Sequence, residues 1–404
     1  MNDSLVIVGA GHAAGQLVTS LKQHKYAGRI ALIGDEPQLP YQRPPLSKKY
    51  LSGEMDAERL LFKSASFYDD DQIETRLNTH VETINLEQGL VNTNAGESIA
   101  YDTLVLATGS RARRLNLDGE NLPGVFYLRS IQDVDAIRER LGTSQRIAIV
   151  GAGYIGLEVA AVCRQSGRDV TVIEVTDRVM SRVVSPDVSA FYQRVHEEAG
   201  VVFHLSTGVT RILGDTHARA VVTDKDEEID ADLVIIGAGI VPNIELAKSA
   251  GVVVDDGIVV DAYCQTSSPE VYAVGDCTTH PNPIYQRQVR LESVHNALEQ
   301  AKTAASNICG KPQEYGQVPW FWSDQYDLKL QIVGLSQGYD EVVIRGNPDD
   351  RRFSCLYLRD GVFIAIDAVN SPRDFIQSKA LIAAGARIDP ITLADTAIDF
   401  KSMM

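Results

Sequence analysis

Short aliphatic runs, each closed by a glycine turn, recur along the chain and set its plan. Residues 5–8 (LVIV) run into GAGHAA, a stretch of helical periodicity follows, and a second apolar run ends at Asp35. A further run, LVLATG, closes that segment at 104–109. The same order then returns: RIAIV at 146–150 enters GAGYIG, a helical stretch follows, DVTVI leads to Glu174, and LVIIGAG closes at 233–239. Strand and helix alternating in this way predict a parallel sheet with crossover helices, built twice. Residues 257–315 start no third copy. They read as a strand, a turn, a strand ending at Asp276, and then one helix through ESVHNALEQAKTAASNI. After Pro319 the pattern alternates between Gly, Asn and Asp turns, which predicts a small antiparallel sheet followed by a helix over about residues 372–384.

The fold class is therefore α/β, with two Rossmann-like dinucleotide-binding domains and a C-terminal α+β domain. At 404 residues the chain is long enough for three such bodies. Lys and Arg number 38 against 54 Asp and Glu, a net charge of −16, which argues against nucleic acid or an anionic membrane as a main partner. No basic leader precedes the first strand, and no run of 18 apolar residues occurs, so neither a secretory signal nor a membrane span is expected. The five cysteines (Cys163, Cys264, Cys277, Cys309 and Cys355) form no CxxC pair, as expected for isolated thiols in a reducing cytoplasm. No metal site is expected.

Each glycine turn carries a dinucleotide fingerprint. In Gly9-x-Gly11-x-x-Ala14 the first glycine permits the tight turn and the second lets backbone approach a pyrophosphate. The small third residue lets helix and strand close. The helix N-terminus then offers unpaired N–H groups to the anion. Asp35 is placed for a ribose hydroxyl. The second fingerprint is complete: Gly151, Gly153 and Gly156, with Tyr154 and Ile155 between them and Glu174 at the end of the next strand. An acid there favours NADH, because a 2′-phosphate would be repelled. Arg178 and Arg182 are either contacts to adenine or phosphate, or solvated surface charges. Two such motifs imply a resident redox cofactor and an exchangeable one, and a flavin is the natural receiver of hydride from nicotinamide.

The strings GAGHAAG, LPYQRPPLSKKYL, VLATGSRARRL, GAGYIGLEVAA, GAGIVPN, VYAVGDC, LESVHNALEQA and PWFWSDQYDLKLQIVGL span nearly the whole chain. In them the sequence resembles the FAD-dependent pyridine-nucleotide oxidoreductases of glutathione-reductase-like fold, and among those the ferredoxin reductases of the putidaredoxin reductase type. RPPLSK and FWSDQ are the most diagnostic. The resemblance implies an FAD-binding domain at 1–109 and 239–318, an NAD-binding domain at 110–238 and a C-terminal interface domain at 319–404.

It also implies site residues. FAD would be held by Ala14, Asp35, Arg43, Lys48, Val81 through its backbone, Thr108, Gly109, Arg129, Gly275, Asp276, Val294 at a helix start, and Trp322. Trp320 and Trp322 can equally be core aromatics. Nicotinamide would lie near Tyr154, Ile155, Gly239 and Glu292. Lys48 and Glu158 would form the catalytic ion pair, the cation stabilising the negative charge that arrives with hydride. No cysteine stands before Cys163, where disulfide reductases of this fold carry their redox pair, so electrons are expected to leave to an external carrier. The resemblance implies a 2Fe–2S ferredoxin feeding a haem-thiolate monooxygenase or dioxygenase. Lys302, Arg287 and Arg290 are the expected docking cations, ahead of Lys311 and Lys329, on a monomer or weak homodimer. Competing readings are a rubredoxin reductase, an NADH oxidase, and a redox-responsive binding protein like the apoptosis-inducing flavoproteins.

Overall fold

A computed structural model describes residues 3–403. Its contacts divide the chain into two compact units. One holds residues 1–43, 58–111 and 241–319; the other holds 44–57, 112–240 and 320–404.

In the first unit a five-stranded parallel sheet runs in the order Val271–Ala273, Thr103–Leu106, Ser4–Val8, Arg29–Ile33, Ile73–Arg76. The strand before Gly9 is central and buried almost throughout, as its unbroken apolar run requires. Helix His12–Gln23 packs along helix Val294–Ile308 through small residues, with Ala13, Ala14, Ala297, Ala301, Ala304 and Ala305 all buried there. A three-stranded antiparallel sheet begins at Val81.

The second unit repeats the parallel plan. Its strands run Val201–His204, Asp169–Ile173, Arg146–Val150, Leu233–Ile236, Val125–Tyr127, with the strand before Gly151 in the centre. The likeness extends to single hydrogen bonds: Gly9 N donates to Ile33 O at 2.8 Å, and Gly151 N donates to Ile173 O at 2.8 Å. The same unit contains an antiparallel five-stranded sheet formed by residues 320–369, followed by helix Pro372–Ala383, which packs on it. It also takes in the segment 44–57 that carries Lys48. Among the described residues no helix is long and apolar enough to cross a membrane.

Two buried histidines give the fold an acid-sensitive component. His280 in the first unit and His196 in the second are each pushed down to about 4 by burial. In an unfolded chain each would take up a proton near its ordinary value of about 6.5. Their contribution to stability is therefore complete above about 6.5 and is lost as pH falls towards 4, up to about 3 kcal/mol each. Asp367 works the other way: burial raises it to about 7, so its contribution is lost as pH rises from the ordinary carboxylate range to 7. His280→Gln should accordingly lose less thermal stability than the parent between pH 7 and pH 5, measured as the difference in Tm. An equal fall in the two proteins would refute this assignment.

Candidate functional site

The two glycine loops are built for close approach. Gly9 has φ +108°, and a Cβ there would stand 2.1 Å from the Ala107 carbonyl oxygen. Gly151 has φ +107° and would meet the Gly237 oxygen at 2.5 Å. Gly11 and Gly153, two residues further, face open space instead. Each is the N-cap of the helix that follows, and neither helix has a side-chain cap. Open space beside an uncapped helix N-terminus is what a dinucleotide pyrophosphate requires, so both loops fit the expected cofactors. The third small position also behaves as expected. Ala14 is fully buried, and a side chain at Gly156 would lie 2.1 Å from the Gly151 oxygen.

Around the first loop, Asp35 is exposed and lies 3.1 Å from His80 Nδ1. Arg43 donates to Glu36 at 2.5 Å and to the Tyr41 hydroxyl at 2.9 Å, so Glu36, not singled out in the sequence, orients the arginine. Thr108 Oγ1 donates to Asn243 O at 2.7 Å, Asn243 Nδ2 returns a bond to Thr108 O at 2.8 Å, and Asn243 N donates to Gly109 O at 2.9 Å. Asn243 thus pins the turn at 108–109. Gly275 sits at φ +90°, and Asp276 accepts from Ser110 Oγ at 2.9 Å. Val294 opens its helix behind the cap Ser293. Val81 begins a strand and is buried. Glu292 is paired with Arg290.

In the second unit the Glu174 carboxylate folds onto its own loop, accepting from Ala152 N at 2.7 Å and from Thr176 N and Oγ1 at 2.9 Å. This fixes the acid beside the glycine turn with lone pairs to spare. Arg178 is committed to the Val184 and Ser181 carbonyls. Arg182 is exposed, and its guanidinium lies 3.5 Å from where a Gly239 side chain would begin. Tyr154 stacks on Phe321 with ring centres 4.7 Å apart. Its hydroxyl is buried with no hydrogen-bond partner among the described residues, and that burial holds its pKa well above the usual phenol range. Ile155 is exposed. Arg129 precedes the Ser130 cap of helix Ile131–Leu141, and the Trp322 and Trp320 ring centres lie 5.6 Å apart.

Glu158 is a buried carboxylate, 4% exposed on the helix that Gly153 caps. Its Oε2 accepts from Lys48 Nζ at 2.6 Å and Ser47 Oγ at 2.5 Å; its Oε1 accepts from Ser323 Oγ at 2.6 Å. Lys48 also donates to Pro44 O at 3.2 Å. An ammonium has three N–H donors, so one remains uncommitted among the described residues. The pair is thus a fixed cation with a donor to offer. Ser323, which sequence reasoning passed over, lies in the FWSDQ string beside the tryptophan it picked out.

Of the expected docking cations, Lys302 is paired with Glu299 at 2.6 Å, Arg290 with Asp256 at 3.1 Å and with Glu292, and Arg287 is exposed at a strand start. No group of histidines, cysteines or carboxylates suited to a metal occurs among the described residues.

Comparison with known proteins completes the description. The family described as Pyridine nucleotide-disulphide oxidoreductase matches residues 3–301, and that described as Reductase C-terminal matches residues 320–404. A ferredoxin–NAD(P)(+) reductase of a Sphingomonas species is 45% identical over 403 residues, covering 99% of this chain and 97% of that protein. A rubredoxin-NAD(+) reductase of Pseudomonas putida is 40% identical over 371 residues, covering 92% and 96%. The reductase in the crystal structure of the covalent putidaredoxin reductase–putidaredoxin complex is 41% identical and superposes with a TM-score of 0.97, covering 100% of this chain and 98% of that one.

Proposed function

The chain belongs to the pyridine nucleotide-disulphide oxidoreductase family, and from that premise we propose that it is an FAD-containing, NADH-dependent reductase that hands electrons singly to a 2Fe–2S ferredoxin. When bound, FAD supplies the two-electron to one-electron conversion that such a relay needs. In this reading the first unit holds FAD: Gly9, Gly11 and Ala14 at the pyrophosphate, with Arg43, Thr108, Gly109 and Asp276 around it, and Asp35 at the ribose. The second unit holds NADH on the Gly151 loop, with Glu174 on its adenosine ribose and Arg182 and Gly239 flanking it. Lys48 and Glu158 serve hydride transfer. By role the chain would divide into an FAD-binding part at 1–109 and 239–318, an NAD-binding part at 110–238 and an interface part at 319–404.

The observation that carries this reading is the Lys48–Glu158 pair, held by Ser47 and Ser323 on the same helix as the second glycine loop. The thiols support an external acceptor, because burial pushes Cys163 and Cys355 up to about 12 and makes them poor nucleophiles. Such isolated thiols also suit the cytoplasm, which we propose as the location. Lys302, Arg287 and Arg290 remain proposed docking cations, although acids beside two of them weaken long-range steering.

Rapid mixing tests the donor and the acceptor in turn. NADH should reduce the flavin about 100-fold more effectively than NADPH, since a phosphate left unpaired beside Glu174 costs about 3 kcal/mol. Comparable rates would remove Glu174 from the ribose site. The reduced enzyme should then reduce a 2Fe–2S ferredoxin faster than it reduces rubredoxin or oxygen. The likeness to rubredoxin reductases makes rubredoxin the alternative acceptor, and preferential transfer to it would replace the ferredoxin assignment.

A further inference from the structure

A chain of hydrogen bonds leads away from Glu158 on the side opposite Lys48. Ser323 Oγ lies 2.6 Å from Glu158 Oε1, Gln325 Nε2 lies 3.1 Å from Ser323 Oγ, and His196 Nε2 lies 2.9 Å from Gln325 Oε1. The Tyr326 hydroxyl lies 3.2 Å from His196 Nδ1. Glu158, Ser323, Gln325 and His196 are all buried, so water does not compete for these bonds.

The direction of every link follows from the first. A carboxylate only accepts, so Ser323 must donate its hydroxyl hydrogen to Glu158. Its oxygen then accepts from the Gln325 amide N–H, which turns the Gln325 carbonyl towards His196. That carbonyl takes the Nε2–H of His196, whose other nitrogen must accept if the ring is neutral. Burial keeps it neutral, holding the imidazole down at about 4, and Tyr326, raised to about 12 by burial, keeps its proton to donate. Tyr326 also carries φ +55° at the hairpin between strands Trp320–Gln325 and Leu328–Gly334, a conformation that a tyrosine adopts at a cost. The contact with His196, ring centres 4.9 Å apart, is what that position gains.

Ser47 and Lys48 both bind Oε2, so Ser323 is the one donor on Oε1 among the described residues. Without it the carboxylate can rotate, and Lys48 moves with it. We propose that Ser323, Gln325, His196 and Tyr326 form a one-way hydrogen-bond chain that fixes the Glu158 carboxylate, and through it Lys48, for hydride transfer. Ser323 and Gln325 are then positioning residues, and the C-terminal segment shapes the reductive step in addition to any part in docking. This rests on the reading of Lys48 and Glu158 given above.

The test is stopped-flow reduction of the FAD-loaded enzyme by NADH, without ferredoxin. Ser323→Ala should lower the limiting rate about 10- to 100-fold while the apparent Kd for NADH stays within about twofold. Gln325→Leu should act alike, and the double variant should lose no more than Ser323→Ala alone. In a Glu158→Gln background, Ser323→Ala should change the rate less than about threefold, because its effect runs through that carboxylate. Tyr326→Phe is the mild variant should the buried changes impair folding, with an expected loss of about two- to threefold. Full multiplicative losses in the double variants, or a rise confined to Kd, would overturn the chain as a positioning device. An unchanged rate in Ser323→Ala with a large loss in Lys48→Met would overturn it alone. Unchanged rates in Lys48→Met and Glu158→Gln would overturn both it and the reading it rests on.

Discussion

Lys48→Met is expected to slow reduction of the bound flavin by NADH about 10²- to 10³-fold, the range found when one preorganised donor to a developing charge is removed. Hydride arrives as two electrons and one proton, so negative charge accumulates where it lands. In the proposed reading Lys48 would meet that charge with an ammonium whose position is set beforehand: Glu158 at 2.6 Å, the Pro44 carbonyl at 3.2 Å, and a third donor uncommitted among the described residues. Methionine keeps the length of the side chain and removes both charge and donor. The substitution also strands Glu158, only 4% exposed, with two serine hydroxyls for company. A buried carboxylate deprived of its cation costs about 3–5 kcal/mol, so a lower Tm should accompany the lower rate. The two effects separate in the double variant Lys48→Met, Glu158→Gln, which removes the stranded charge: stability should return and the rate should not. Flavin absorbance under anaerobic mixing reads the reductive step alone. A loss smaller than about threefold in the single variant would remove Lys48 from the chemistry.

How much of this was legible beforehand depended on how far apart the interacting residues lie. The glycine turns could be read because their demands are local. A positive φ and a carbonyl oxygen within 2.1–2.5 Å of a notional Cβ are properties of a few neighbouring residues. The twofold plan was legible for the same reason, since strand and helix periodicities repeat in order. The network behind Glu158 was not, because three of its four links join residues 129 to 165 positions apart. Part of the signal was nevertheless present. On a strand, residues two apart share a face, so Phe321, Ser323 and Gln325 had to lie opposite Trp320 and Trp322. A reading that fixed on the tryptophan looked at the other face of the strand. The assignment of residues 44–57 to the second unit, and the approach of Asp256 to Arg290, depend on tertiary contacts that composition does not reveal, whereas Glu299 beside Lys302 is a helical i, i+3 neighbour that the sequence did offer.

Substituting the first glycine of each loop should separate the two cofactors. Alanine at Gly9 must adopt φ near +108° or open the turn, and its Cβ would overlap the Ala107 carbonyl at 2.1 Å. That carbonyl belongs to the segment following strand Thr103–Leu106, which is fixed by pairing on both sides, so the turn has to yield. An unfavourable φ costs about 1–3 kcal/mol before the overlap is counted, and the amides that would face the pyrophosphate lose their alignment. FAD affinity should fall at least about 100-fold, equivalent to about 2.7 kcal/mol, and the protein should purify largely colourless. Gly151→Ala carries the same strain, φ +107° with the Gly237 oxygen 2.5 Å away, but in the unit assigned to NADH. It should retain FAD and its colour, be reduced by dithionite as the parent is, and lose about 100-fold in the second-order rate with NADH. If Gly151→Ala lost FAD while Gly9→Ala kept it, the cofactors would have to be exchanged between the loops. If both variants kept FAD and normal reduction, neither loop would be a pyrophosphate site. The matching φ at the two glycines makes the comparison sharp, because the backbone cost is shared and the split between FAD retention and NADH reduction reports what each loop binds.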